Sequence, residues 1–237
     1  MKYQKIFVND EFIVINKPAG LIVHGAKHIT EDNLTDELLK EFPEVVKVGD
    51  DPERPGLMHR LDKLASGLMV IARTQDSFDN LKKQFQKREV VKIYTALVYG
   101  KVIKDEDEIN FPIDRSAKGF KMAALPVSKN GEANDDGRRA FSEFSVVKRF
   151  INYTLLHVKI KTGRTHQIRV HMAAYGHPIV GDDLYGTSKT KIKNKKLNTE
   201  RIFLVASELT FKDLAGKPHH FQIELPEEFN NLLKIIK

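Results

Sequence analysis

Residues 90–100, VVKIYTALVYG, carry valine, isoleucine, tyrosine and threonine in partial alternation with small or polar residues and end on a glycine. These residue types fit a pleated, half-buried surface. Two later stretches, AFSEFSVVKRF (140–150) and NYTLLHVKIKT (152–162), read the same way. Long strands of this kind imply a sheet with one side exposed or facing a substrate. Working outward, KIFVND, EFIVINK and LIVH are short β-rich runs, separated by Asn-Asp and by Pro18-Ala19-Gly20, both turn signals. GLMVIAR (67–73) reads as a buried strand, and IFLVASELTF with HHFQIEL as a hairpin across DLAGK.

Helices are scattered among these strands. Leu34, Leu38, Leu39 and Phe42 fall at helical spacing within 31–42, ahead of Pro43. Thr74 can cap a helix that places Phe78, Leu81 and Phe85 on one face and lysines on the other. A short helix is expected from Thr165 to Tyr175, capped by Thr165 and closed by Gly176, and a terminal one from Pro226. Long strands with scattered helices indicate α+β and not alternating α/β. The whole chain, 1–237, reads as one domain, with the lysine-rich segment of about 187–200 as a surface loop.

Composition narrows the function. The 237 residues are long enough for a sizeable core. No apolar stretch approaches the ~20 residues needed to span a bilayer, and no signal peptide is visible, so a cytoplasmic protein is expected. Zero cysteines exclude disulfides, thiolate zinc sites and cysteine nucleophiles. The net charge is +7, and it is unevenly spread. Lys82, Lys83, Lys87, Arg88 and Lys92 cluster against Glu89 alone, and KTKIKNKK (189–196) holds five lysines and no acid. Acids gather in DEDE (105–108) and DD (135–136). A separated charge map suits a polyanion such as nucleic acid.

Several chemistries drop out. GDDLYGTSK (181–189) imitates a phosphate loop but has Thr187 where that loop needs lysine. His166 and His171 stand five apart, wrong for a helical zinc pair, and His177 adds no recognised spacing, so no metal is expected. There is no G-x-S-x-G elbow. What remains is MHRLDKLASGLMVIART (58–74), with Asp62 between a His-Arg pair and a strand, together with Tyr94 and KTGRTHQIRVHMAAYGHPIVGDDLYG (161–186). An aspartate before a buried strand is ordinarily a turn former or a structural ion-pair partner. GRTHQIR alters that reading, because it gathers donors at a strand-to-helix junction where backbone amides are also unpaired.

HRLDKLASGLMV, KIYTALVYG and KTGRTHQIRVHMAAYGHPIVGDDLYG resemble, in order, the three core motifs of the RluA family of RNA pseudouridine synthases. NKPAGLIVH and FSEFSVVKRF resemble its flanking segments, so the likeness spans roughly residues 5 to 230. The resemblance implies a long, bent, mostly antiparallel mixed sheet with flanking helices and a central basic cleft. It implies Asp62 as catalytic aspartate, Tyr94 lying against the flipped base, Arg164 pairing with the aspartate, and Arg60 entering the RNA where the uridine leaves. His59, Thr165, His166, Gln167, Arg169, Lys189, Lys191 and Lys193 are the further candidates for RNA contact. The partner implied is ribosomal or transfer RNA; no cofactor, membrane or protein partner is expected, and a monomer suffices.

The sequence departs from the family pattern at Leu64 and Ala65, which replace a polar residue and a threonine. The likeness covers the catalytic domain alone, without the small S4 RNA-binding domain of many relatives, so binding is expected from the cleft and its basic surface. Two other readings compete: an RNA-binding protein that kept the fold without catalysis, and a hydrolase of nucleoside or glycosidic bonds with Asp62 as nucleophile.

Overall fold

The structure, a computed structural model, describes residues 2–25, 33–116, 119, 121–125 and 137–237. The acid pair at 135–136 and the first residues of the helix expected over 31–42 lie outside them. The chain divides into two compact units, Met1–Lys92 with Val205–Glu224, and Ile93–Leu204 with Leu225–Lys237. Both are α+β, with mostly antiparallel strands.

The first unit contains β1 (Gln4–Val8), β2 (Phe12–Lys17), α1 (Leu34–Glu41), a 3₁₀ turn (Pro43–Lys47), β3 (Ser66–Ala72) and α2 (Gln75–Lys87). From later in the chain it takes nearly all of β10 (Leu204–Lys212) and β11 (Pro218–Gln222). Its strand order is β1-β2-β3-β10-β11. Every residue of β3 is buried, as its unbroken apolar sequence requires of a central strand. β2 runs antiparallel to β3, from Phe12 opposite Ala72 to Lys17 opposite Gly67. β10 runs parallel to β3, with Val205 opposite Ser66 and Ala206 opposite Gly67. Gly67 has φ +121°, and a Cβ there would lie 2.4 Å from the Ala206 carbonyl oxygen. The glycine of the Ser-Gly pair therefore permits this close parallel pairing. Thr74 caps α2 as expected, accepting from the Ser77 amide at 3.2 Å.

The second unit contains most of β4 (Val91–Tyr99), then β5 (Glu106–Ile109), a hairpin of β6 (Ile113–Arg115) and β7 (Met122–Ala124), β8 (Ser142–Arg149) and β9 (Tyr153–Ile160). α3 (Gln167–Ala174), α4 (Ser188–Leu197) and α5 (Glu227–Ile235) complete it. The strand order β4-β9-β8-β5 is antiparallel throughout. The three long strands are those read from residues 90–100, 140–150 and 152–162.

Three expectations change. LIVH forms no strand: Leu21 and Val23 are buried, but the segment makes only an isolated bridge, Ile22 to Asn33. The α3 N-cap is His166, in the left-handed region, and not Thr165. The lysine-rich segment is not a loop. It is α4, capped by Thr187, whose side chain accepts from the Thr190 amide. Its inner face is polar: Thr190 and Asn194 are buried. Asn194 Oδ1 accepts from the Tyr99 hydroxyl at 2.6 Å and the Gly181 amide at 2.9 Å, while its Nδ2 donates to Asp183 at 2.8 Å. A helix anchored by an amide side chain has no apolar stripe to announce it.

Candidate active site

In the first unit, Asp62 sits on the short loop entering β3 and is partly buried. The loop is fastened from both ends. The Ala65 amide donates to the Asp62 carbonyl at 3.2 Å, and the Gly20 amide to the Lys63 carbonyl at 2.7 Å. Lys17 is fully buried, and its ammonium donates to the carbonyls of Pro18 at 2.9 Å, Leu21 at 2.8 Å and Lys63 at 3.2 Å. A buried lysine is costly unless its hydrogens are satisfied, and here that requirement ties NKPAG to the residue after Asp62. Leu64 and Ala65, within the same loop, are partly buried and buried.

Arg60 is exposed, and its Nη1 donates to His24 Nε2 at 2.9 Å. His24 Nδ1 lies 3.0 Å from the Gly25 carbonyl and must carry the proton. Desolvation chiefly lowers the pKa of both, and the Asp62 charge opposes this at Arg60. His59 turns inward. Its ring stacks on Phe85 with centroids 4.9 Å apart, and its Nε2 accepts from the Val70 amide at 3.1 Å. That bond occupies a β3 amide, so His59 helps to hold the strand against the loop that precedes it.

Desolvation pushes His59 down to about 3, with Lys92 adding repulsion. His171, fully buried between Ser142 Oγ and the Phe111 carbonyl, is also lowered by desolvation. Both are neutral in the folded protein, whereas the unfolded chain takes up the proton near pH 6.5. Stability from them is full above that pH and is lost as pH falls from 6.5 toward 3. Carboxylates do not titrate appreciably until lower, so the window from 6.5 to 4.5 belongs to histidine. Thermal melts should hold level between pH 7 and about 8, below the titration of Lys92, and drop below 6.5, and His59→Phe should flatten that drop by about one proton. An unchanged profile in the variant would contradict neutral burial of His59.

In the second unit, Tyr94 is buried on β4, opposite Val158 of β9. Arg164 is partly buried, with Nε donating to the Arg139 carbonyl at 3.2 Å. Thr165 is exposed. Gln167 is buried and saturated: Oε1 accepts from Thr162 Oγ1 at 2.7 Å and the Arg164 amide at 3.1 Å. Its Nε2 donates to the Phe141 carbonyl at 2.9 Å and Ser142 Oγ at 3.0 Å. Gln167 therefore clamps the GRTH turn. Arg169 is buried too, paired through Nε and Nη2 with both oxygens of Asp182 at 2.7 and 3.0 Å. These two side chains, expected on RNA, are engaged inside the protein.

His166 Nδ1 lies 2.8 Å from the Tyr185 hydroxyl, which also accepts from the Met122 amide at 3.0 Å. Sequence inspection passed over Lys17, His24 and Tyr185. The position of Lys17 and His24 within the NKPAGLIVH run, and of Tyr185 within the 161–186 motif, is the signal each offers. Lys189, Lys191 and Lys193 are exposed on α4, with Lys193 also over the Tyr99 ring at 5.5 Å. Among the described residues no group of three or more His, Asp or Glu side chains could hold a metal ion, and no helix is long and apolar enough to cross a membrane.

Comparison with known proteins gives this arrangement a context. The RNA pseudouridylate synthase family profile matches residues 11–174. An uncharacterised RNA pseudouridine synthase of Aquifex aeolicus is 40% identical over 96% of this chain and 71% of its own. Ribosomal large subunit pseudouridine synthase D of Pseudomonas aeruginosa is 41% identical over 76% of this chain and 52% of its own length. The chain thus spans only part of these relatives. Among solved structures, human RNA pseudouridylate synthase domain containing 4 aligns with TM-score 0.77 at 26% identity, covering 98% of this chain and 92% of that one. Human RNA pseudouridylate synthase domain containing 1 shares the fold at TM-score 0.74 and 23% identity, over 95% and 84% of the two chains. With its three motifs placed and its family profile matched over most of its length, the chain belongs to the RNA pseudouridylate synthase family, isomerases that act on RNA.

Proposed function

We propose that this protein converts a uridine of large-subunit ribosomal RNA to pseudouridine, with Asp62 as the catalytic carboxylate. The observation that carries the reading is the Asp62 loop, whose following carbonyl is held by Gly20 and Lys17. Such fastening suits a group that must meet a substrate at fixed geometry. Ribosomal RNA is favoured because several relatives at 34–41% identity bear the name ribosomal large subunit pseudouridine synthase D.

The reaction breaks the N-glycosidic bond, turns the uracil and joins carbon 5 to the ribose. Nothing is oxidised and no group is exchanged, so the chemistry itself calls for no cofactor. The ionised carboxylate acts by attack at carbon 1′ or by removing the 2′ proton. Arg164 is the partner proposed for this carboxylate, a role suited to a permanent guanidinium. Tyr94 offers a flat face to the uracil. Arg60, exposed and steadied by His24, fills the space left by the flipped base and offsets part of its unstacking. Thr165 and His166 contact the RNA at the turn before α3. The two compact units work as one catalytic domain, in a cytoplasmic monomer.

Pseudouridine mapping of total RNA with and without the protein tests the reading and names the site. One uridine position losing its modification without the protein is the expected result; an unchanged map would overturn it.

The helix α4 adds a separate expectation. Its five lysines face no acid within the helix, and Lys189, Lys191, Lys193, Lys195 and Lys196 are all exposed. Neutralising them should weaken RNA binding and leave the chemical step nearly intact. Each lost phosphate contact reduces the salt slope by about 0.9 on a duplex or about 0.7 on a single strand. A slope that does not move would mean that α4 merely solvates itself.

A further inference from the structure

The lysines of the first unit differ in what meets their charge. Lys17 gives its hydrogens to carbonyls, and Lys82 pairs with Asp50. Lys92, at the start of β4, has neither. It is only partly exposed, and among the described residues its ammonium makes no hydrogen bond or ion pair. Its ammonium lies over the Phe85 ring, with Nζ 5.1 Å from the centroid. That same ring stacks on His59, the residue just ahead of Arg60, Leu61 and Asp62.

An aromatic face compensates a desolvated ammonium only in part. Burial accordingly pushes Lys92 down to about 8, and no carboxylate contributes to hold it up. His59, the titratable group that faces it, is neutral and feels its charge as a repulsion. A cation kept at this cost, on an aromatic floor shared with the root of the Asp62 loop, is one that an anion completes. Strand alternation gives Lys92 and Tyr94 the same side of β4. An ammonium is a compact point charge suited to a single phosphate oxygen.

We infer that Lys92 binds a backbone phosphate of the RNA next to the reacting uridine. The inference rests on the synthase reading above and adds a substrate contact to it. The α4 lysines and Arg60 are exposed side chains, whereas Lys92 is only partly exposed and rests on the Phe85 ring.

The test uses the full chain, Lys92→Met and Lys92→Arg, with an unmodified transcript of large-subunit ribosomal RNA. Binding is measured against salt and from pH 7 to 9, and pseudouridine formation on the same transcript in parallel. Lys92→Met should bind more weakly, with a salt slope smaller by about 0.7 to 0.9. It should raise KM more than it lowers kcat. Lys92→Arg should keep the slope. Wild-type affinity should fall as pH passes about 8, and this step should be missing in Lys92→Arg, whose charge persists.

A Lys92→Met slope equal to wild type, or a pH step that survives in Lys92→Arg, would overturn the inference; the second result decides even if the Met variant fails to fold. Wild-type turnover with an unchanged slope in Lys92→Met would sink the Lys92 contact alone. Absence of wild-type turnover on any RNA would sink the synthase reading, and absence of RNA binding would sink both.

Discussion

Asp62→Asn should still bind RNA and should lose turnover, by at least roughly 10²- to 10⁴-fold. The substitution keeps size and some hydrogen bonding and removes the negative charge on which either route of attack depends. Asp62 is partly exposed, and the neighbouring bonds from Gly20, Lys17 and Ala65 are made to backbone carbonyls. A melt beside the assay checks that the Asn variant folds. Arg60→Ala provides the contrast. It leaves the carboxylate and removes the side chain that fills the vacated stack, so its defect should shrink on RNA whose target uridine is already unpaired or unstacked. No such rescue should occur for Asp62→Asn. If both variants respond alike to unstacking, the division of roles between them is wrong.

A large loss of stability is expected for Gly67→Ala. The added methyl would meet the Ala206 carbonyl oxygen at 2.4 Å and its amide nitrogen at 2.5 Å, both backbone atoms that no side-chain rotation can move. The residue also has φ +121°, a conformation L side chains rarely adopt. Overpacking costs roughly 1 to 3 kcal/mol, and strained backbone on the order of 1 to 3 kcal/mol more. Together these are a large fraction of a domain's stability, ordinarily about 5 to 15 kcal/mol. Denaturant unfolding measures it directly. A midpoint equal to wild type would show that β3 and β10 do not need their close parallel pairing.

Much of this fold was legible because period and turn chemistry agreed. β3 shows as an unbroken apolar run, α2 as Thr74 followed by Phe78, Leu81 and Phe85 on one face, and the long strands of the second unit as runs rich in β-branched and aromatic residues. The failures share a different cause. α4 holds to the protein through Asn194, and a buried amide bonded to Tyr99, Gly181 and Asp183 leaves no apolar period to read. LIVH has the composition of a strand, yet the long-range partners that decide pairing are not written locally.

At the candidate site, the motifs located the right segments but not the duty of each side chain. Gln167 and Arg169 have the chemistry of RNA readers, and only the structure shows Phe141, Ser142 and Asp182 already occupying them. His59 is spent in the same way on Val70 and Phe85. Lys17 is the converse case. A lysine beside Pro-Ala-Gly reads as a solvated turn residue, and it is fully buried, tied by its ammonium to the residue after the catalytic aspartate.

The central claim is isomerisation by a single carboxylate, and the nucleoside balance of treated RNA tests it most directly. Unmodified large-subunit ribosomal RNA is incubated with the purified protein, digested to nucleosides and analysed by mass, with the supernatant assayed for free base. The account predicts pseudouridine appearing as uridine disappears, one for one, with no uracil released and none of either change with Asp62→Asn. Free uracil at the expense of uridine, or pseudouridine still formed by the Asn variant, would contradict it.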